Sequence, residues 1–369
     1  MNSLSEANTK FMFDLFQQFR KSQKNNTFYS PISITTALGM VLLGAKDNTA
    51  QQINKVLHFD QVPENTTEKA ATHHVDRSGN VHHQFQKLLT ELNKSTDAYE
   101  LKIANKLFGE KTFQFLQEYL DAIKKFYQTS VESVDFAKAP EESRKKINSW
   151  VESQTNEKIK NLFPDRSIGN DTTLVLVNAI YFKGQWQNKF NKENTKEENF
   201  WPNKDVQAKV LEIPYKGRDL SMIVLLPNEI NGLQKLEEKL TAEKLLEWTS
   251  LQNMREAHVD LHLPRFKVEE SYDLKDTLRN MGMVDLFNGD ADLSGMTGSR
   301  GLTVSKVLHR AFVEVTEEGA EAAAATAVVT GFTSPLLTNE EFHCNHPFLF
   351  FIRQNKTNSI LFFGRFSSP

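Results

Sequence analysis

The sequence predicts an α+β fold, with helices in the first third, strands in the remainder, and no regular strand–helix alternation of the kind that builds a doubly wound sheet. Up to about residue 163 the apolar residues recur at helical spacing, whereas from Thr172 onward the runs are short, apolar and rich in β-branched and aromatic side chains. The third observation concerns organisation. Only 16 Gly and 11 Pro are scattered over 369 residues and no Pro/Gly/Ser-rich linker interrupts them, so residues 1–369 are expected to form one domain. Phenylalanine occurs 27 times and supplies bulky core material.

In MNSLSEANTKFMFDLFQQFRKS, residues Phe11, Met12, Leu15, Phe16 and Phe19 recur on one helical face, and Ser3 and Glu6 have the spacing of a capping box. A secretory leader is not expected, because no basic segment precedes an unbroken apolar run. Ser30 as N-cap and Pro31 at the first helical position open a second helix that runs through ISITTALGMVLL to Gly44. Another helix is expected from about Asn48. Residues 60–84 are polar and patternless and read as a long flexible loop. Helices follow at QFQKLLTEL, FLQEYLDAIKKFY and EESRKKINSWVESQTNEKIKNLF, the last lying on a surface through Ile147, Trp150, Val151, Ile159 and Leu162. TTLVLVNAIYF (172–182) is apolar on both parities, which suits a central strand buried on two faces. AKVLEIPY and LSMIVLLP should form a hairpin around residues 216–219, and FLFFIRQ and NSILFFGRF another around residues 355–357.

Composition excludes several partners. The balance of 44 basic against 47 acidic side chains, net charge −3, offers no nucleic-acid footprint. No window reaches the roughly 18 apolar residues that span a bilayer. The one cysteine, Cys344, forms no internal disulfide and fits a reducing compartment. Sequons at Asn25, Asn65, Asn93, Asn170 and Asn355 should go unused without a leader. A cytoplasmic monomer is expected, with signal-peptide-independent release as a further route.

Enzyme motifs are missing: the chain has no G-x-S-x-G elbow, no P-loop and no G-x-G-x-x-G. His73-His74 and His82-His83 fall in the polar segment, and a metal there would need a third ligand held in place. His343-Cys344-Asn345-His346 lies in a strand, where neighbouring side chains diverge. Packing accounts for it better than ligation or a nucleophilic cysteine. The basic runs at 124–126 and 144–146 alternate with acids and read as solvated helix faces. Neither metal nor cofactor is expected, and catalysis is not.

One stretch fits none of these classes. EEGAEAAAATAVVTGFTSP (317–335) is small, uncharged after Glu321 and β-compatible, unlike a surface helix broken by Gly331 and Pro335 or a polar disordered tail. With YSPISITTALGMVLLGAKDNTAQQI, LVLVNAIYFKGQW, ADLSGM, HRAFVEVTEEGAEAAAAT and FHCNHPFLFFI, it makes the chain resemble the serpins over essentially its whole length, in the ovalbumin-like intracellular branch known as clade B. The resemblance implies a serpin fold of three β-sheets and eight to nine helices, with residues 317–338 as an exposed reactive-centre loop. It also implies irreversible inhibition, in which a protease cuts the loop, forms an acyl-enzyme and is trapped as the loop inserts as a strand into the large sheet.

Counted from the hinge glycine, Gly319, the reactive bond falls between Thr333 and Ser334 and leaves a 15-residue arm, roughly 50 Å when extended. The resemblance implies a hinge of Glu317, Gly319, Ala320, Ala322, Ala323, Ala324 and Ala325. A two-residue period puts Ala320, Ala322, Ala324, Thr326, Val328 and Thr330 on one face, and Glu321, the arm's one charge, on the other. The first face can therefore enter a core without burying an ion. By resemblance, Ser30, Ser33, Asn178 and His309 form a polar shutter beneath the sheet, and Trp186 marks the breach where insertion starts. Phe332 sits next to the cleaved residue, the position papain-like cysteine proteases read, which makes enzymes of the cathepsin L, S and K type the expected targets; chymotrypsin-like serine proteases are the alternative and a non-inhibitory serpin the third reading. Two departures stand out. About twenty residues usual in the family are missing between Lys204 and Asp205, where an interrupted chain is expected, and VTGFTSPLL (329–337) differs from the loops of the members it otherwise resembles.

Overall fold

The computed structural model describes residues 3–22, 26–62, 79–188, 196–203, 207–250, 254–316 and 340–367. Ten α-helices occur among them: α1 (Ser3–Ser22), α2 (Pro31–Leu42), α3 (Asp47–Val56), α4 (Gly79–Leu92), α5 (Gln117–Tyr127), α6 (Pro140–Gln154), α7 (Leu233–Lys239), α8 (Ala242–Trp248), α9 (Lys275–Met281) and α10 (Ser294–Thr297). The last is a single turn, so the count stands one above the eight or nine expected. The strands are β1 (Thr27–Tyr29), β2 (Tyr99–Glu110), β3 (Val131–Val134), β4 (Leu174–Gly184), β5 (Lys196–Asn203), β6 (Ala208–Pro214), β7 (Leu220–Pro227), β8 (Arg255–His262), β9 (Phe266–Asp273), β10 (Lys306–Val315), β11 (Glu340–His343), β12 (Phe348–Gln354) and β13 (Ser359–Phe366).

A five-stranded sheet runs in the order β3-β2-β4-β10-β9, and an eight-stranded sheet in the order β1-β13-β12-β7-β6-β5-β8-β11. β4 is the middle strand of the first, as its apolar run requires, and it is buried on both faces. Leu174, Leu176, Ile180 and Phe182 join the main core, while Val175, Val177, Ala179 and Tyr181 join a smaller cluster with Ile147 and Val151 of α6. α2 is buried over its whole length, beneath the sheet, with contacts to both β4 and β13. Both anticipated hairpins are present, β6–β7 and β12–β13.

The Lys204–Asp205 junction, where an interrupted chain was expected, lies outside the described residues. On either side of it Asn203 pairs directly with Ala208, and β5 and β6 are antiparallel neighbours. Antiparallel pairing satisfies the backbone groups that a bare strand end would leave open. The same ladder joins what would be two sheets, β1-β13-β12-β7-β6 and β5-β8-β11, edge to edge.

Three helix readings need correction. The 60–84 loop is shorter than its composition suggested: Phe59–Gln61 is a turn of 3-10 helix and α4 already begins at Gly79, while residues 63–78, with His73 and His74, lie outside the described residues. Val81, Phe85, Leu88 and Leu89 give that helix an apolar face, and buried His82 meets the Tyr127 hydroxyl at 2.5 Å. The helix expected over 141–163 stops at Gln154, because Asn156, Glu157 and Asn161 take positive φ. Arg144 is not on a solvated face. It is buried, donates to the Phe163 carbonyl and pairs with Glu141 and Asp165.

Candidate functional site

The site is the seam between β4 and β10. These strands are parallel and directly hydrogen bonded, with Lys306–Glu314 in register with Val175–Lys183, so no strand lies between them. The ladder places His309 opposite Asn178, and inward parity aims both at α2.

All four residues expected of the shutter meet there. Ser30 caps α2 by accepting from the Ser33 N–H at 3.2 Å, which holds the helix start against the sheet. The Ser30 N–H donates to His309 Nε2 at 3.0 Å. That contact makes Nε2 the acceptor and leaves the ring proton on Nδ1, facing Asn178 Oδ1 at 2.5 Å. Asn178 Nδ2 then donates to the Ser33 hydroxyl at 2.5 Å and to its carbonyl at 3.1 Å. Each member is at most 3% exposed. Burial pushes the His309 pKa down to about 3, so the ring is neutral. A protonated ring would set a second N–H against the Ser30 N–H. The network therefore crosses the seam, and strands that part must break it.

The upper end of the seam is closed differently. The Trp186 indole N–H donates to the Thr316 carbonyl at 2.8 Å, and its ring stacks on Tyr215 with centroids 4.4 Å apart and planes at 12°. Gly184 permits this approach, since a Cβ there would come within 2.4 Å of the Tyr215 ring. Thr316 is the residue immediately before the expected hinge. The hinge and reactive-bond residues, Glu317, Gly319, Ala320, Ala322, Ala323, Ala324, Ala325, Phe332, Thr333 and Ser334, lie outside the described residues. Replacing Trp186 with Phe keeps the stacking surface and deletes the donor; it is expected to cost about 1 kcal/mol and to speed backbone amide exchange near Val315 and Thr316. Unchanged exchange there would show that the indole does not hold this strand end.

The outer face was not foreseen. Arg310 donates to the Lys160 carbonyl at 2.6 Å and to the Asn161 carbonyl at 3.4 Å, tying β10 to the segment that follows α6, and Lys183 pairs with Glu314 across the seam. Strand parity alone assigns Arg310 and Glu314 to the face away from His309, and that signal was available.

The dismissed candidates behave as packing residues. Burial pushes the Cys344 thiol up, far from the thiolate a nucleophile needs. His343 stacks on His262 at 4.1 Å, while His346 donates to the Pro227 carbonyl at 2.6 Å. Among the described residues no group of three or more His, Cys, Asp or Glu could hold a metal, and no helix is long and apolar enough to cross a membrane.

Comparison with known proteins agrees with this geometry. The family model described as Serpin (serine protease inhibitor) matches residues 6–208 and 203–369, two segments that meet at the Asn203–Ala208 hairpin. The chain is 84% identical to human Serpin B3 and 85% to human Serpin B4, over 390 aligned positions covering 100% of each chain. Against 369 residues here, at least 21 of those positions have no counterpart in this chain. Horse leukocyte elastase inhibitor is 48% identical over 396 positions, again covering 100% of both. Uncleaved ovalbumin superposes with a TM-score of 0.89 at 37% identity, and a cleaved, loop-inserted ovalbumin mutant with 0.85 at 36%, each over 100% of both chains. The better fit to the uncleaved form matches the direct β4–β10 pairing.

Proposed function

The chain belongs to the serpin family, and on that premise we propose that it is a suicide-substrate inhibitor, consumed rather than catalytic, whose targets are papain-like cysteine proteases of the cathepsin L, S and K type. The observation that carries this reading is the seam itself. β4 and β10 are parallel neighbours whose side-chain contacts across the seam can be exchanged, and the strand that leads towards the loop ends at Val315, with the next residue, Thr316, held by Trp186.

In the mechanism we propose, the protease nucleophile attacks the Thr333 carbonyl and the Ser334 amine departs, leaving the protease acylated by the arm that ends at Thr333. Gly319–Thr333 then enters between β4 and β10. Ala320, Ala322 and Ala324 enter first, beside the Thr316 end of β10, while Ser30, Ser33, Asn178 and His309 re-form their hydrogen bonds around the new strand. Trp186 releases the strand end at Thr316. Insertion supplies the free energy that distorts the protease before water can cleave the ester or thioester. In the cell we assign the protein to the cytoplasm as a monomer, with release independent of a signal peptide as a further route.

A second reading, inhibition of chymotrypsin-like serine proteases, has a specific support. Phe332 could itself be the cleaved residue, and relatives named leukocyte elastase inhibitor are 47–48% identical. The test is to incubate the protein separately with cathepsin L and chymotrypsin, then read denaturing gels and intact masses. A covalent complex with the cut after Thr333 is expected for cathepsin L. A trapped complex cut after Phe332 by chymotrypsin alone would favour the second reading. Cleavage by both without a complex, and no rise in unfolding temperature after cleavage, would make the protein a non-inhibitory serpin.

A further inference from the structure

Four charged residues stand at one level across four strands of the five-stranded sheet. The ladders pair Glu100 of β2 with Lys183 of β4, Lys183 with Glu314 of β10, and Glu314 with Lys267 of β9. Residues paired across a ladder point to the same face. The row therefore alternates minus, plus, minus, plus. At its centre Lys183 Nζ lies 3.5 Å from Glu314 Oε2 across the seam, with the two side chains 24% and 9% exposed. Glu314 and Glu100 both raise the pKa of Tyr181, though less than burial does, which sets the two carboxylates on the α6 side of the sheet. Glu100 also accepts from Asn156 Nδ2 at 3.1 Å, just beyond α6.

We propose that Glu100, Lys183, Glu314 and Lys267 form a divisible charge row that positions the seam. Its central contact resists separation of β4 and β10, and its outer ladder neighbours leave each half an opposite charge after a strand has entered. This rests on the insertion reading given above. An entering strand moves β4 and β10 from one strand spacing to two, from about 4.8 Å to about 9.6 Å. Lys183 then loses Glu314 but keeps Glu100, and Glu314 loses Lys183 but keeps Lys267. No partly buried charge is left without an opposite neighbour in either state, the condition that would be costly. The row also specifies register. Sliding β10 by two residues preserves the faces but sets Lys183 against Phe312 and takes Glu314 away from it.

The two roles separate experimentally, with all four as positioning residues. The probe is a synthetic peptide of residues 320–333, whose uptake into the intact protein reports seam opening, alongside thermal unfolding of the same samples. Lys183→Met and Glu314→Gln should each speed uptake about fivefold, the factor that corresponds to one contact of about 1 kcal/mol. The double exchange Lys183→Glu with Glu314→Lys remakes the central contact but sets like charges together at both flanks. Its uptake should return to within about twofold of the unsubstituted protein, while its unfolding temperature stays roughly 2–5 °C low. Adding Glu100→Lys and Lys267→Glu inverts the whole row and should restore both. If the double exchange alone recovers the unfolding temperature, the pair is isolated and there is no row. Unchanged uptake in both single variants would refute the central contact. Should the unsubstituted protein take up no peptide, the insertion reading fails, and the row is still decided by whether full inversion unfolds at a higher temperature than the double exchange.

Discussion

Arginine in place of Ala322 is expected to convert the protein from a trap into a plain substrate. By the two-residue period of the loop, position 322 belongs to the face that enters the core beside Ala320 and Ala324. An ion carried there costs several kcal/mol. Trapping is a race between insertion and deacylation, and about 3 kcal/mol added to the insertion barrier slows it by more than a hundredfold. The protease should then cut the loop at its usual rate and leave, with the covalent band on a denaturing gel replaced by cleaved inhibitor. Arginine at Ala323 is the internal control, because that parity already carries Glu321 and faces away from the core. It should retain most of the complex. Equal loss from both variants would mean that bulk in the hinge, and not the buried face, decides the race.

The second large effect is a loss of stability in mild acid. Burial pushes the pKa of His309 down to about 3, and burial followed by the neighbouring His83 does the same for His82, against an ordinary 6.5. Both rings are neutral in the fold, so below pH 6.5 the unfolded chain binds protons that the fold refuses. Their contribution is complete above that pH and is lost progressively as pH falls toward 3. Each residue adds a slope of up to about 1.4 kcal/mol per pH unit inside that window. Between pH 7 and pH 5 the pair should remove about 3–4 kcal/mol, read as a falling urea midpoint. His309→Gln can still accept from the Ser30 N–H and should cost about 1–2 kcal/mol at pH 7.5. It should also lose half of the acid slope, so that its curve approaches that of the unsubstituted protein near pH 5. Parallel curves would show that His309 takes up its proton without opening the network.

Much of the fold was legible because its signals act within a turn or two of chain. The Ser30 cap and Pro31 start α2, the residues between β6 and β7 and between β12 and β13 make hairpins, and the apolar run of β4 announces burial on both faces. The corrections come from contacts between distant segments. Gly79–Gln84 looks like loop by composition, yet Val81 joins the core and His82 finds Tyr127, 45 residues away. Arg144 belongs to a polar run and is buried all the same, because the Phe163 carbonyl and two carboxylates surround its guanidinium.

By itself the sequence determined the element types, the family resemblance and the parity of the loop, since each is set by local periodicity or by motifs contiguous in the chain. Tertiary structure alone decided that Ser30, Ser33, Asn178 and His309 share one hydrogen-bonded cluster, that Trp186 holds the carbonyl of Thr316, and that four charges align across four strands. Ser30 and His309 are 279 residues apart, and only the register of β10 on β4 and the seating of α2 beneath them bring the ring to the amide. Register is a property of pairs of strands, stabilised by everything packed on both faces, and so it is not written in the pattern of either strand.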